Sequence, residues 1–308
     1  MKILITGAAG LVGQNLIPHL KAGEGRRIVA VDKHAQNMAA LRRLHPEIEA
    51  IEADLAEGGP WEDAALSCDA MVLLHAQIGG LEEAEFRRNN VAATERALAA
   101  AKAGKCRYIV HASSSVVNSK AVDFYTESKK AQEKLVAACG LPHVILRPTL
   151  MFGWFDRKHL GWLKRFMEKA PVFPIPGDGR YLRQPLYGGD FSAIVAACLE
   201  RRIEGVYDIS GQEKIDYIDL IRALREAAGL KTPIVRIPYA LFDALLRAYA
   251  VFDRNPPFTT QQLKALVTPD IFEVIDWPAI FGVPATPLKE ALDKTFNDPR
   301  YSKVTLAF

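Results

Sequence analysis

The sequence predicts an α/β fold: a doubly wound parallel sheet followed by a smaller C-terminal lobe. Two observations lead there. The first half of the 308 residues alternates short unbroken apolar runs with segments of helical period, and such runs read as parallel strands covered on both faces. Past residue 150 the texture changes, with Pro171, Pro174, Pro176, Gly177, Gly179, Pro185, Gly188 and Gly189 marking a turn-rich stretch.

The elements follow in order. Ile3–Ile5 reads as the first strand and Leu11–Ala22 as the helix after it. Ile28–Val31, Ile48–Ile51, Ala70–Leu74, Tyr108–Ala112 and Val144–Leu146 are the next strands, with helices over Val91–Ala103 and Glu127–Ala138. A β-α-β-α order puts helices on both faces of a parallel sheet, and ligands bind beyond the carboxyl ends of its strands. Residues 1–150 are expected to form this Rossmann-like unit, with 185–210 returning to it. A strand is read at Gly205–Ile209, within the returning stretch, while residues 151–184 and 211–308 would form a substrate lobe with an amphipathic helix at Tyr217–Ala228. The apolar stretch Tyr239–Phe252, interrupted by Asp243 and Arg247, is too short to span a bilayer. It is expected in the molecule's own core rather than on a membrane surface or at a subunit contact.

Composition narrows the function. Lys and Arg number 39 against 36 Asp and Glu, a formal charge of +3, so no bulk charge points to nucleic acid. Hydrophobic content of 49% and charged content of 24% are those of an ordinary globular protein. Cys68, Cys106, Cys139 and Cys198 show no Cys-x-x-Cys spacing, so neither a metal site nor a redox pair is signalled. With no secretory leader after Met1-Lys2, a reducing cytoplasm is the expected compartment.

The first chemical motif is Thr6-Gly7-Ala8-Ala9-Gly10-Leu11-Val12-Gly13, directly between a strand and a helix. Unpaired N–H groups and the helix dipole favour a diphosphate there, and glycines let the backbone approach it. Asp32 ends the second strand, nineteen residues after Gly13, where a carboxylate accepts hydrogen bonds from an adenosine ribose. Its charge repels a 2′-phosphate, so NAD is expected over NADP, although Lys33 offers a cation for that phosphate. Asp54-Leu55 ends the third strand and either borders the adenine or caps the next helix.

The second constellation is Ser113-Ser114-Ser115 at the end of the fifth strand, followed by Tyr125 and Lys129. Tyrosine and lysine at i and i+4 share one helix face. A nearby ammonium would lower the phenol's pKa from its ordinary value near 10. The phenol could then exchange a proton with a substrate hydroxyl while a serine polarises the same oxygen.

With these residues the chain resembles the extended short-chain dehydrogenase/reductases, in the NAD-dependent epimerase/dehydratase family. The glycine motif, Asp32, Asp54, Asn90-Val91, the serine strand end, Tyr125/Lys129 and Leu146-Arg147-Pro148 match its landmarks in order, and Gly177-Asp178-Gly179, Arg183 and Asp190 resemble its substrate segment. The resemblance implies Tyr125 as acid/base, Lys129 as holder of ribose and tyrosine, and Ser114 as support for the substrate oxygen, with Ser115 the rival. Gly7, Gly10, Leu11, Val12 and Gly13 would bind the cofactor. Asp32, Lys33, Asp54 and Leu55 would flank its adenosine. Leu74, His75 and Ala76, with Asn90, would line it from the fourth strand, and Ala112, Ser113 and Pro148 from the fifth and sixth. Gln77, Ser115 and Arg183 would meet the substrate, Arg183 through a diphosphate or, instead, paired with Asp178 or Asp190. His75 is expected to be structural.

The chain departs from the family where Val117-Asn118-Ser119 replaces V-Y-G and where no asparagine follows Arg147-Pro148. Trp154–His159 would line the substrate mouth or form a surface loop with a core tryptophan. A nucleotide-sugar epimerase or dehydratase is the leading expectation. A dehydrogenase or ketone reductase of a non-nucleotide substrate, and a non-catalytic NAD(P) sensor or assembly protein, are the alternatives. A homodimer through helices near 88–103 and 124–138 is implied by the resemblance.

Overall fold

Lys2–Thr6 forms strand β1 with Ile3, Leu4 and Ile5 wholly inaccessible. The computed structural model describes residues 1–120, 122–252, 259–268 and 271–307. After β1 come α1 (Leu11–Lys21), β2 (Arg27–Asp32), α2 (Ala35–Leu44), β3 (Glu49–Glu52), α3 (Pro60–Leu66) and β4 (Ala70–Leu73). The chain then passes through α4 (Glu83–Phe86) and a π-helical turn at Arg87–Ala92 into α5 (Ala93–Ala103). β5 (Ile109–Ala112), α6 (Phe124–Ala137) and β6 (His143–Pro148) follow.

Beyond β6 lie β7 (Met151–Phe152), α7 (Leu160–Lys169), β8 (Phe173–Pro176), β9 (Leu182–Arg183), β10 (Leu186–Tyr187) and α8 (Gly188–Arg201). β11 (Gly205–Ile209), β12 (Ile215–Asp216), α9 (Tyr217–Ala227) and β13 (Ile234–Ile237) come next. The described helices after them are α10 (Tyr239–Phe252), α11 (Thr260–Val267), α12 (Trp277–Phe281) and α13 (Leu288–Asn297).

Seven strands make one sheet in the order β11-β6-β5-β4-β1-β2-β3, with every pairing parallel. Alternation along β1 shows why. Ile3 and Ile5 pack with Leu16 and Ile17 of α1 and with Phe191 and Ile194 of α8. Leu4, pointing the other way, packs with Trp61 of α3 and Ala97 of α5. A strand apolar on both faces can sit only between two helical layers. β1 lies between β4 and β2, where the winding reverses, so a crevice opens above its carboxyl end.

The chain leaves this sheet after β6 and returns through α8 and β11, the latter pairing Gly205 with Val144 through Ile209 with Pro148. A separate cluster, including Phe152, Met167, Ile175, Tyr217, Leu224 and Leu292, holds the smaller lobe together. There β8 pairs with β13 and β9 with β12.

One expectation is overturned. The apolar stretch at Tyr239–Phe252 does form a helix, but Tyr239 is 41%, Leu241 52% and Leu245 53% exposed. Only part of α10 turns inward: Phe242, Leu245 and Leu246 line an open apolar cavity, while Tyr239 and Leu241 lie outside it. Among the described residues, no helix is long and apolar enough to cross a membrane. The four cysteines are buried and free.

Gly13 marks the tightest join between the turn and α1: an added Cβ would lie 2.4 Å from the Ala8 carbonyl oxygen. Gly13→Ala is expected to cost about 1–3 kcal/mol through this overlap, read as a lower midpoint in denaturant unfolding. An unchanged midpoint would show that turn and helix can part freely.

Candidate active site

The turn after β1 is shaped by two close approaches. Gly7 has φ +66°, and a Cβ there would lie 2.6 Å from the His75 backbone nitrogen, so only glycine lets β1 turn over the end of β4. Gly10 precedes α1, whose first turn has neither a side-chain cap nor an acidic residue. A Cβ on Gly10 would meet only the Gly7 carbonyl oxygen, at 3.4 Å. The helix start is therefore open and positive, the environment an anionic group requires. Leu11, Val12 and Gly13 lie in that first turn, Gly13 within the buried part of α1.

Asp32 stands at the end of β2 beside the turn. Its carboxylate accepts from the Ala9 N–H and the His34 N–H, both at 3.0 Å. Burial raises its pKa, and those backbone donors oppose the rise. A carboxylate has lone pairs to spare after two such bonds. The Lys33 ammonium donates to Asn89 at 2.7 Å and lies 3.4 Å from Asp54. Asp54 caps the turn before α3 through the Ala56 N–H at 3.0 Å and pairs with Arg88 at 2.7 Å; Leu55 beside it is buried against Trp61. Of its two expected uses, then, the capping bond is seen at a turn, while α3 itself starts at Gly59.

Asp123 caps α6 by accepting from the Thr126 N–H at 2.9 Å, which starts the helix just ahead of Tyr125. One turn on, Lys129 is buried, and its ammonium donates to the Ala112 carbonyl at 2.9 Å. That bond ties α6 to the end of β5. The Ser114 hydroxyl hydrogen-bonds the Tyr125 phenol and pulls its pKa down, but burial pushes it up more strongly, so the net shift is upward. In the free protein the phenol is thus shifted up, with the Lys129 ammonium engaged at the Ala112 carbonyl. Burial brings the Lys129 pKa from 10.5 down to about 7, with Glu133 opposing the fall. Ser115 lies in the 3₁₀ turn Ser115–Asn118, which includes Val117 and Asn118.

Behind these groups is a buried polar network. His75 meets Thr6 at 2.7 Å and Thr94 at 2.9 Å, and burial lowers its pKa to about 3. It is a neutral ring with both nitrogens partnered. Asn90, in the π-helical turn, accepts from the Gln77 N–H at 2.5 Å and donates to the Gln77 carbonyl at 3.1 Å and to Ser128 at 2.8 Å. It thereby pins the backbone after Leu74, His75 and Ala76. The hydroxyls of Ser113 and Thr149, at the ends of β5 and β6 near Pro148, are buried without a hydrogen-bond partner.

The substrate-side expectations fall differently. The Arg183 guanidinium donates to the carbonyls of Leu266 and Thr268 and lies over the Tyr181 and Tyr217 rings, 5.3 and 6.0 Å from their centroids. The ion pairs considered for it are not seen: Asp190 binds Thr286, and Asp178 accepts from the Arg180 N–H. Gln77 accepts through its side chain from Asn89 at 3.0 Å. In the segment 154–159, Trp154 packs on Tyr301 with centroids 4.6 Å apart, and Asp156 caps the start of α7 through Lys158, His159 and Gly161. Those groups serve the fold.

Ser128 and Gln132 escaped the sequence reading. With Tyr125 and Lys129 they occupy i, i+3, i+4 and i+7 of α6, and Ser128, Lys129 and Gln132 are all buried. A polar stripe where a helix should be apolar was the signal.

This geometry fits a dinucleotide: an uncapped helix start, a carboxylate at the next strand end, and two unpartnered buried hydroxyls at the strand ends beyond. The chain belongs to the NAD dependent epimerase/dehydratase family, whose model matches residues 3–210. It is 27% identical over 247 residues to a ceramide reductase of Caulobacter vibrioides, covering 77% of this chain and 73% of that one. It is 26% identical over 342 aligned positions to a 2-alkyl-3-oxoalkanoate reductase of Stenotrophomonas maltophilia, covering 95% and 97%. Among solved structures, a UDP-glucuronic acid 4-epimerase from Bacillus cereus in complex with NAD superposes with a TM-score of 0.72 at 22% identity, covering 96% and 98%.

Lys129 makes stability depend on pH. The unfolded chain keeps this proton up to 10.5 while the native chain releases it near 7, so the unfolded form binds more protons in between. Native stability therefore rises with pH across that window, by at most about 1.4 kcal/mol per unit from this group. Denaturant unfolding of Lys129→Met is expected to lack this rise relative to wild type. Parallel pH profiles for the two proteins would contradict the buried ammonium.

Proposed function

We propose that the protein is an NAD-dependent oxidoreductase that interconverts a ketone and its secondary alcohol on a substrate carrying no nucleotide. The observation that carries this reading is the half-buried Tyr125 phenol, hydrogen-bonded by Ser114 and shifted upward in pKa. A phenol so placed is protonated at neutral pH and is a proton donor to a carbonyl oxygen.

The cofactor's diphosphate would be held by the first-turn N–H groups of α1, with Gly7, Gly10, Leu11, Val12 and Gly13 giving access. Asp32 would take ribose hydroxyls, and its charge would turn away a 2′-phosphate; the opposing cation, Lys33, is engaged by Asn89 and Asp54. When bound, NAD supplies or accepts the hydride. In reduction, Tyr125 gives its proton to the oxygen of the substrate carbonyl as the carbon gains hydride, leaving the alcohol and a phenolate. The Ser114 hydroxyl has one proton to donate; it serves the substrate oxygen while charge develops there and turns to the phenolate once the alcohol has formed. Lys129 positions both by holding α6 against Ala112. Thus Ser114, Tyr125 and Lys129 form the working set, and Asn90 keeps the opposite wall in place.

The nucleotide-sugar expectation relied on Arg183 for a diphosphate. Its bonds to the Leu266 and Thr268 carbonyls support the non-nucleotide reading instead, as does the similarity to two reductases.

The test is NADH oxidation with a panel of alkyl ketones, run beside NAD with UDP- and dTDP-sugars while product stereochemistry is followed. Ketone turnover is expected, and Tyr125→Phe should lower kcat by about 10²- to 10⁴-fold with NADH binding preserved. Turnover of the sugar nucleotides alone, or full activity in Tyr125→Phe, would defeat the proposal.

A further inference from the structure

The smaller lobe contains a cavity of about 320 Å³ that none of the chemistry above uses. Trp162, Leu163 and Phe166 of α7 face Leu245 and Leu246 of α10 across it, and Tyr217 of α9 closes one side. None of the described lining residues is charged. A buried water needs two to four polar partners, which such a surface does not provide. Hydrocarbon, by contrast, would recover the contacts that an unfilled apolar void forfeits. The volume lies at the lower end of small-molecule sites, enough for one aliphatic chain.

The lobe that holds it begins where the chain leaves β6 at Pro148, and β6 is the hydrogen-bonded neighbour of β5, which leads to Ser114. Phe173 belongs both to the lining and to the lobe's core cluster, which also contains Phe152 of β7. Leu245 lines the cavity and is also 53% exposed, so the cavity opens to the surface along α10.

We propose that this cavity binds the aliphatic tail of the substrate, making the reacting ketone or alcohol part of a lipid-like molecule. The proposal rests on the oxidoreductase reading for what happens at the polar end, but tail binding can be measured without turnover.

Methyl ketones from hexanone to dodecanone are titrated into the whole protein while tryptophan fluorescence is followed, since Trp162 lies in the lining. Affinity is expected to rise about fourfold per added methylene until further length brings no gain. Leu163→Trp, which fills the cavity, and Leu246→Gln, which makes it polar, should each abolish that chain-length dependence. Unaltered NADH binding shows that the variants are folded. Affinity independent of chain length, or the same length dependence in both folded variants, would overturn the tail site. Length-dependent binding without NADH oxidation would support the tail site while defeating the oxidoreductase reading. NADH oxidation with short ketones but no length dependence would do the reverse.

Discussion

The Lys129 ammonium, buried and bonded to the Ala112 carbonyl, joins α6 to the end of β5, and the meeting of Tyr125 with Ser114 depends on that join. Burying a charge is costly unless it is hydrogen-bonded, and the cost is visible in the lowered Lys129 pKa. A chain selected for stability alone would place an apolar residue there. The polar stripe of α6 and the neutral His75 between two threonines form the matrix that makes so polar an interior tolerable. Asn90 extends it to the backbone after β4.

The two lobes divide the work. The sheet offers an open helix start above β1, an acid at the end of β2 and a tyrosine beside β5, all along one edge because parallel strands end on the same side. In the smaller lobe, Arg222, Arg225 and Arg236 line a cavity of their own. Arg183 is spent on carbonyls and aromatic faces, and the cavity along α10 is apolar.

Local patterns carried much of this into the sequence. Unbroken apolar runs made the strands legible because burial on both faces removes alternation, and the glycine turn was legible because Gly7 and Gly13 have no room for a Cβ. Tyr125 and Lys129 could be paired from helical spacing alone. The direction of the Tyr125 shift was not legible, since it depends on how much protein surrounds the phenol and on where the lysine's charge is engaged. Nor was the setting of α10: the composition of Tyr239–Phe252 suits a core, but whether facing elements fill the space is a tertiary fact. Leu266 and Thr268, whose carbonyls Arg183 binds, lie more than eighty residues away, beyond the reach of any local pattern.

The central claim is that the phenol of Tyr125 is protonated at neutral pH and held so by its surroundings. Ultraviolet difference titration of wild type against Tyr125→Phe reads the ionisation of this one group. The account predicts that it ionises above the ordinary tyrosine value of 10.0 in the free protein; ionisation near neutrality would contradict it.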